Sequence, residues 1–227
     1  MCWQAKPAFR ARSGRPLLYY ITDRRQFAGD ERHKHEQLLE KIAECASAGV
    51  DYIQLREKDL SGRELERLAR NALAAIPSDS RTRLLINSRT DIALACGAHG
   101  VHLPASNIAA SEVRAVWMTA ARNGDAPVIG VSTHSVEEVL KAEAHGADFV
   151  VFGPAFEKER RANPEGLEQL AEACRSCAIP VLALGGVTPE NAPLCLEAGA
   201  AGIAGIRLFQ SADVEKLAQE LNVRQRG

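Results

Sequence analysis

The sequence lacks an excess of charge of either sign. It contains 28 lysines and arginines and 29 aspartates and glutamates, which give a formal net charge of −1. Proteins that bind nucleic acid or an anionic membrane surface concentrate positive charge instead. We therefore expect neither of these partners. The expected partners are a small molecule and, in a homodimer, a second copy of the chain.

The sequence also lacks a recognisable signal peptide and any apolar run near the roughly 18 residues of a membrane span, so we expect a soluble, cytoplasmic protein. The six cysteines are scattered along the chain. Cys174 and Cys177 form a C-x-x-C pair, but no second pair completes a zinc set. These residues therefore predict no metal site.

Eight short, β-branched apolar runs alternate with amphipathic segments from Leu17 onwards. The runs are Leu18–Thr22, Tyr52–Leu55, Leu84–Ile86, Val101–Leu103, Val128–Val131, Phe149–Phe152, Val181–Leu184 and Gly202–Ile206. Eight strand and helix units within about 200 residues predict an α/β fold of the (β/α)8 TIM-barrel type. A doubly wound open sheet is the alternative, because strand order cannot be read from one sequence.

The beginning of the chain differs from the rest in being basic and aperiodic. We expect residues 1–16 to form a flexible extension and residues 17–227 to form a single (β/α)8 barrel domain. Active sites of such barrels lie at the carboxyl ends of the strands. The polar residues that follow each apolar run are therefore the candidates for function.

Two cations follow the second run. Strand alternation in "YIQLREK" sends Gln54, Arg56 and Lys58 to one side and leaves Leu55 and Glu57 on the other. Converging lysine and arginine side chains suggest an anion-binding site. The alternative is a solvated or ion-paired surface.

The third, fourth and fifth runs are each followed by polar residues, and none of these residues is a carboxylate. "NSR" begins at Asn87, "PASN" ends at Asn107, and "STHS" supplies Ser132, Thr133 and His134. Histidine has an unperturbed pKa near 6.5, so His134 can both give and take a proton. The alternative for His134 is a capping or packing residue.

Paired glycines follow the seventh run. Gly185 and Gly186 lead into Thr188-Pro189, which is a signal for the start of a helix. Glycines let the backbone approach a ligand, and barrels commonly bind phosphate after strands seven and eight. We therefore expect a phosphate at backbone amides near Gly186 and Ile206.

The motifs, taken in order, resemble those of the thiamine phosphate synthase and TenI superfamily over nearly all of residues 17–221. They are "YYITD", "DYIQLREK", "LLINSRTDIAL", "GVHLP", "VIGVSTHSVEEVLKAEAHGADFVVFGPAF", "IPVLALGGVTPEN" and "AGAAGIAGI". The resemblance implies a (β/α)8 barrel that handles phosphorylated thiazole. In the synthase branch the enzyme also joins the thiazole to a pyrimidine diphosphate.

For the synthase branch, the resemblance implies that Arg56, Lys58 and Asn87 hold pyrophosphate. It also implies two magnesium-binding aspartates and a loop after strand six with a Thr-x-Thr-Lys pattern. Ser88 and Asn107 stand where the aspartates are expected, and the loop reads "PAFEKERRANPEG". Serine and asparagine carry no negative charge to compensate a magnesium ion. The sequence therefore disfavours magnesium-dependent synthase chemistry.

The TenI branch is closer at these positions and implies a thiazole tautomerase, which moves protons and needs no metal. In this interpretation His134 is the acid/base, and Gly185, Gly186 and Ile206 bind the phosphate of the thiazole substrate. Gln54, Arg56, Lys58, Asn87, Ser132 and Thr133 bind the remaining substrate groups. Arg207, where the family has a small serine, is either a phosphate clamp or a salt-bridged surface residue.

We therefore expect a tautomerase that uses no cofactor. The alternative is a divergent thiamine phosphate synthase, which would use magnesium. A third hypothesis is a regulator that binds a phosphorylated ligand without catalysis.

Overall fold

Eight parallel strands close into a barrel in the order in which they occur in the sequence. The computed structural model describes residues 15–106, 108–120, 124–156, 164–211 and 213–223. The strands are β1 Leu17–Ile21, β2 Tyr52–Leu55, β3 Arg83–Asn87, β4 Gly100–Leu103, β5 Val128–Thr133, β6 Phe149–Phe152, β7 Val181–Ala183 and β8 Gly202–Gly205. Leu18 of β1 is in register with Ile203 of β8, so the sheet has no open edge. The predicted (β/α)8 barrel is confirmed, and the open sheet is excluded.

A helix follows each strand. The helices are α1 Glu31–Ser47, α2 Gly62–Ala75, α3 Thr90–Cys96, α4 Ala110–Ala120, α5 Val136–Ala144, α6 Pro164–Ser176, α7 Ala192–Glu197, α8 Arg207–Gln210 and α9 Val214–Val223. A short 3-10 helix, Arg24–Gln26, precedes α1. Among the described helices none combines the length and hydrophobicity needed to span a bilayer.

Helix α2 illustrates why these segments are helical. Ser61 and Glu64 form a reciprocal capping box that satisfies amide groups at the start of the helix. Leu65, Leu68 and Ala69 recur at three- and four-residue spacing and are buried. This stripe faces the outer surface of the barrel, where burial of apolar area stabilises the contact.

The core consists of two shells. The outer shell lies between strands and helices, and the inner shell fills the barrel. Aromatic rings dominate the inner shell, where the centroids of Tyr19 and Phe149 lie 5.4 Å apart in an edge-to-face arrangement. Because side chains alternate along a strand, Tyr52 belongs to the inner shell and Ile53 to the outer one. The same alternation decides which polar side chains reach the barrel mouth, meaning the carboxyl ends of the strands.

The extension predicted for residues 1–16 falls mostly on residues 1–14, which lie outside the described residues. Arg15 belongs to the same predicted segment and forms an ion pair of 2.6 Å with Asp51. The carboxylate of Asp51 also accepts the backbone N–H of Leu18 at 2.9 Å. The single domain predicted for residues 17–227 stays a prediction.

Candidate active site

Gln54 and Asn87 meet at the barrel mouth. They end on the inward side of β2 and β3, and the Gln54 Nε2 group donates to Asn87 Oδ1 at 2.9 Å. Gln54 is buried and Asn87 is half-buried. The pair orients both amides and uses only the oxygen of Asn87, so its Nδ2 group remains a potential donor.

Arg56 and Lys58 follow the end of β2 at the carboxyl side of the strand. Arg56 is half-buried and Lys58 is exposed. No described carboxylate forms an ion pair with either cation. Other cations of this region are paired: Arg24 forms ion pairs with Glu57 and Asp59, and Arg89 forms one with Asp91. Arg56 and Lys58 are thus positively charged groups available to an anion.

A histidine of the fourth apolar run, to which we had assigned no role from the sequence, lies inside the barrel beneath the mouth. His102 is buried, and its Nδ1 and Nε2 atoms lie 2.9 Å from Tyr19 Oη and 2.8 Å from Ser132 Oγ. Burial, and next the positive charge of Arg56, lower the pKa of His102 to about 3. The ring is therefore neutral at physiological pH.

The tautomer of His102 follows from its partners. Burial raises the pKa of Tyr19 well above its usual range, so the phenol keeps its proton. Its hydroxyl has no other described acceptor, so Tyr19 donates to Nδ1 of His102. Nε2 then carries the ring proton and donates to Ser132 Oγ. The proton of Ser132 is left to donate to a bound ligand.

Thr133 lies on the opposite side of β5 from Ser132, so its position lends no support to the predicted role in substrate binding. Its side chain is buried, and its hydroxyl donates to the carbonyl of Val151 at 3.5 Å. The physical reason is strand alternation, since β5 runs through Thr133 and adjacent residues point to opposite faces.

His134 lies at the mouth and is exposed. Its Nδ1 atom lies 2.6 Å from the carbonyl oxygen of Gly153, which can only accept, so Nδ1 carries a proton. The neutral ring then has a lone pair on Nε2. Helix α5 is capped by Ser135, whose hydroxyl accepts the N–H of Glu138. His134 is therefore not the capping side chain and is free to serve as an acid/base.

The predicted phosphate-binding residues line one cavity of about 550 Å³ between the ends of β7 and β8. Gly185, Gly186, Ile206 and Arg207 all border it. The backbone φ angles of Gly185 and Gly186 are 96° and 65°, which explains why glycine is needed there. Among the described carbonyls none accepts an N–H of the segment 185–187. Those amides can therefore bind an anion.

Two further residues shape this cavity. Asn191, which the sequence reasoning did not select, donates to the Gly186 carbonyl at 3.0 Å and accepts the Thr188 N–H at 2.8 Å. It thereby fixes the glycine loop. Arg207 is exposed and makes no described ion pair, which leaves the clamp interpretation open and removes support from the salt-bridge alternative.

Among the residues that the structure describes, the donors at the mouth do not fit a magnesium ion held by carboxylates. Ser88 has a φ of 60° and donates its N–H to the carbonyl of His102 at 2.9 Å. A neutral hydroxyl thus occupies the place next to Asn87. Nearby Asp23, Glu57 and Asp91 are each paired with an arginine. Asn107 and residues 157–163 of the loop after β6 lie outside the described residues.

The fold is a closed (β/α)8 barrel, and its mouth carries two groups of candidate anion-binding residues, Arg56 with Lys58 and the cavity at Gly185 and Gly186. Residues 18–209 match the family model described as thiamine monophosphate synthase, or TMP-TENI. The chain belongs to this thiamine-phosphate synthase/TenI family and is an enzyme of thiamine synthesis.

Relatives span most of the chain. A provisionally named thiamine-phosphate synthase 2 from Aquifex aeolicus is 41% identical over 86% of this chain and 97% of its own length. A thiamine-phosphate synthase from Chlorobium luteolum is 40% identical over 87% of both chains. The solved structure of thiamine phosphate pyrophosphorylase from Pyrococcus furiosus has a TM-score of 0.74 and 30% identity, and the match covers 94% of this chain and 96% of that one.

Proposed function

We propose that this enzyme is a thiamine-phosphate synthase, which joins a pyrimidine diphosphate to thiazole phosphate. The observation that carries the proposal is the pair Arg56 and Lys58, which no described carboxylate neutralises, in addition to the separate cavity at Gly185 and Gly186. Two anion-binding regions suit two anionic substrates. The synthase names of relatives about 40% identical support the same activity.

In the proposed reaction the bond between the pyrimidine methylene carbon and the diphosphate oxygen breaks. The thiazole nitrogen supplies the electron pair for the new bond to that carbon, and diphosphate leaves with the electrons of the broken bond. Arg56 and Lys58 stabilise the charge that grows on the leaving oxygens. The amide pair Gln54 and Asn87 and the hydroxyl of Ser132 orient the substrates.

The thiazole phosphate is assigned to the cavity between β7 and β8. The free backbone N–H groups around Gly186 and the side chain of Arg207 would hold its oxygens. No step is assigned to magnesium, because the donor set around Ser88 does not fit that ion. We accordingly expect slow turnover and weak stimulation by magnesium.

Thiazole tautomerase is the second candidate function, and two observations favour it. Ser88 replaces the carboxylate expected beside Asn87, and His134 presents an Nε2 lone pair while its Nδ1 is held by Gly153. In that reaction His134 removes a proton from one position of the thiazole and returns a proton at another. Arg56 and Lys58 then bind the carboxylate of the same substrate.

One experiment separates these hypotheses. Thiamine phosphate formation and proton exchange at the thiazole are both measured, each with magnesium and with a chelator. We expect thiamine phosphate to form, with activity that survives chelation. Proton exchange without any thiamine phosphate would overturn the synthase proposal in favour of the tautomerase. Tight binding of thiazole phosphate without either reaction would favour the regulator.

A further inference from the structure

We infer that Thr22 and Arg24 form a clamp that positions Arg56 and Lys58 for an anion. This inference rests on the proposed function, because it assigns the diphosphate to those two cations. Neither clamp residue belongs to the set of substrate-binding residues. They would act through the backbone at the end of β2 and are positioning residues.

Thr22 holds the chain on both sides of the Arg56 side chain. Its hydroxyl oxygen accepts the Arg56 backbone N–H at 2.9 Å and its proton goes to Glu57 Oε1 at 2.6 Å. Its own N–H donates to the Gln54 carbonyl at 3.0 Å. Thr22 and Glu57 are buried. Because these bonds are shielded from water, they fix the backbone from which Arg56 projects.

Arg24 forms ion pairs with Glu57 and Asp59, the acidic residues that flank Lys58 in the sequence. Its side chain is 4% exposed, and its guanidinium lies 3.1 Å from Glu57 and 2.7 Å from Asp59. Its backbone N–H also donates to both oxygens of Glu57 at 3.2 Å. The carboxylate of Glu57 is thus paired and hydrogen-bonded, as a buried charge must be.

Basic and acidic residues alternate in the segment 56–59, and Arg24 binds only the acidic ones. Glu57 and Asp59 point to Arg24, while Arg56 and Lys58 make no described ion pair. Glu57 and Asp59 are the acids adjacent to the two cations in the sequence. Arg24 therefore prevents local neutralisation and leaves Arg56 and Lys58 to the ligand.

The test compares Thr22→Val, which removes the hydroxyl at nearly constant volume, with Thr22→Ser, which retains it. Binding of inorganic pyrophosphate to the full chain is measured by calorimetry, and KM is measured for each substrate. We expect Thr22→Val to weaken pyrophosphate binding about ten-fold and to raise KM for the diphosphate alone. Thr22→Ser should restore affinity to within about three-fold.

Thr82→Val is the matched control. Thr82 is also buried, and its hydroxyl likewise makes two hydrogen bonds: it donates to the Val50 carbonyl at 2.6 Å and accepts from the Ser80 hydroxyl at 3.0 Å. It precedes β3, at the amino ends of the strands. We expect Thr82→Val to lower stability without changing pyrophosphate affinity. Should Thr22→Val fail to fold, Thr22→Ala removes the same hydroxyl with a smaller side chain.

Arg56→Ala distinguishes failure of the inference from failure of the proposed function. If Arg56→Ala weakens pyrophosphate binding but neither Thr22→Val nor Thr22→Ala does, the clamp is wrong and the diphosphate site stands. If Arg56→Ala also leaves binding unchanged, the diphosphate does not lie at these cations, and the proposed site fails together with the inference. Equal weakening by Thr22→Val and Thr82→Val would show a general loss of stability and would likewise overturn the clamp.

Discussion

The hydroxyl of Ser132 lies 2.8 Å from Nε2 of His102, so a neutral histidine inside the barrel sets the direction of a hydroxyl at its mouth. Tyr19 fixes the other ring nitrogen at 2.9 Å. This chain of hydrogen bonds connects the aromatic inner core to the candidate substrate site. Because both ring nitrogens of His102 are hydrogen-bonded within the buried site, this arrangement is stable only while His102 stays neutral.

The first prediction concerns stability at mildly acidic pH. Burial, and next the positive charge of Arg56, lower the pKa of His102 from 6.5 to about 3. Between these two values the unfolded protein binds a proton on His102 and the folded protein does not. The contribution of neutral His102 to the free energy of unfolding is fully present above about pH 6.5. It declines as the pH falls towards 3, by up to about 1.4 kcal/mol per pH unit. Urea unfolding at pH 7, 6 and 5 measures this slope.

His102→Gln is the variant to compare, because it cannot take up a proton. We expect a smaller slope between pH 6.5 and 5, whatever the change in stability at pH 7. Burial also lowers the pKa of His99, which adds to the slope in the same direction. A His99→Gln protein separates the two contributions. An unchanged slope in His102→Gln would contradict the neutral buried histidine.

The second prediction concerns the glycine loop. A Cβ atom at Gly185 would lie 2.8 Å from the Cα and Cβ atoms of Pro154, and φ there is 96°. We expect Gly185→Ala to cost about 2–4 kcal/mol from backbone strain and overpacking. It should also weaken thiazole phosphate binding, because the amides of the loop must move. Thermal unfolding and calorimetry measure the two effects.

Gly49→Ala is the control for backbone strain. Its φ is 81°, but nothing lies within 4 Å of the position that a Cβ atom would take. We expect it to cost about 1–2 kcal/mol and to leave phosphate binding unchanged. If both substitutions lowered the free energy of unfolding equally, the contact of the new Cβ atom with Pro154 would add no strain.

The third prediction tests His134. Asparagine can keep the hydrogen bond to the Gly153 carbonyl but has no counterpart of Nε2. If the enzyme catalyses tautomerisation, His134→Asn should lower proton exchange by about 10²- to 10⁴-fold while thiazole phosphate affinity is retained. Synthase turnover should change far less. Proton exchange at the rate of the unmodified protein would exclude His134 as the acid/base.

The sequence predicted the barrel well because its strands are short apolar runs separated by amphipathic helices. It also predicted the common side of Gln54 and Arg56, since strand alternation is local information. Thr133 was grouped with Ser132 and His134 because three consecutive polar residues were treated as one set. Applying the same alternation to β5 would have separated Thr133 from Ser132 and His134.

Other parts of the site depend on contacts that no local pattern encodes. Arg24 and Glu57 are 33 positions apart, and Tyr19 and His102 are 83 apart. Barrel closure brings them together. Arg24 and Glu57 are charged residues close to apolar runs, where such residues far more often lie on the surface, and Tyr19 and His102 lie within apolar runs. The contact of Asn191 with the glycine loop was also not predicted, because "TPEN" is a typical signal for the start of a helix.

The last prediction concerns the missing carboxylates. Ser88→Asp combined with Asn107→Asp should create magnesium binding in the presence of pyrophosphate, because two carboxylates and phosphate oxygens are ligands that magnesium prefers. Ser88 has a φ of 60°, a conformation that aspartate and asparagine adopt more readily than most residues. The backbone should therefore accept the change. Synthase turnover should rise and become sensitive to chelation, since the ion would stabilise the leaving diphosphate.

Ser88→Asn combined with the unchanged Asn107 is the matched control, because it keeps the backbone preference without adding charge. Calorimetry with magnesium and pyrophosphate should detect coupled binding for the double aspartate variant and little for the control. The unmodified protein should resemble the control. If the unmodified protein already binds magnesium and pyrophosphate as tightly as the double variant, then Ser88 and Asn107 do not weaken the metal site. Other groups of the chain would then supply the ligands, and the weak magnesium dependence proposed for this synthase would be wrong.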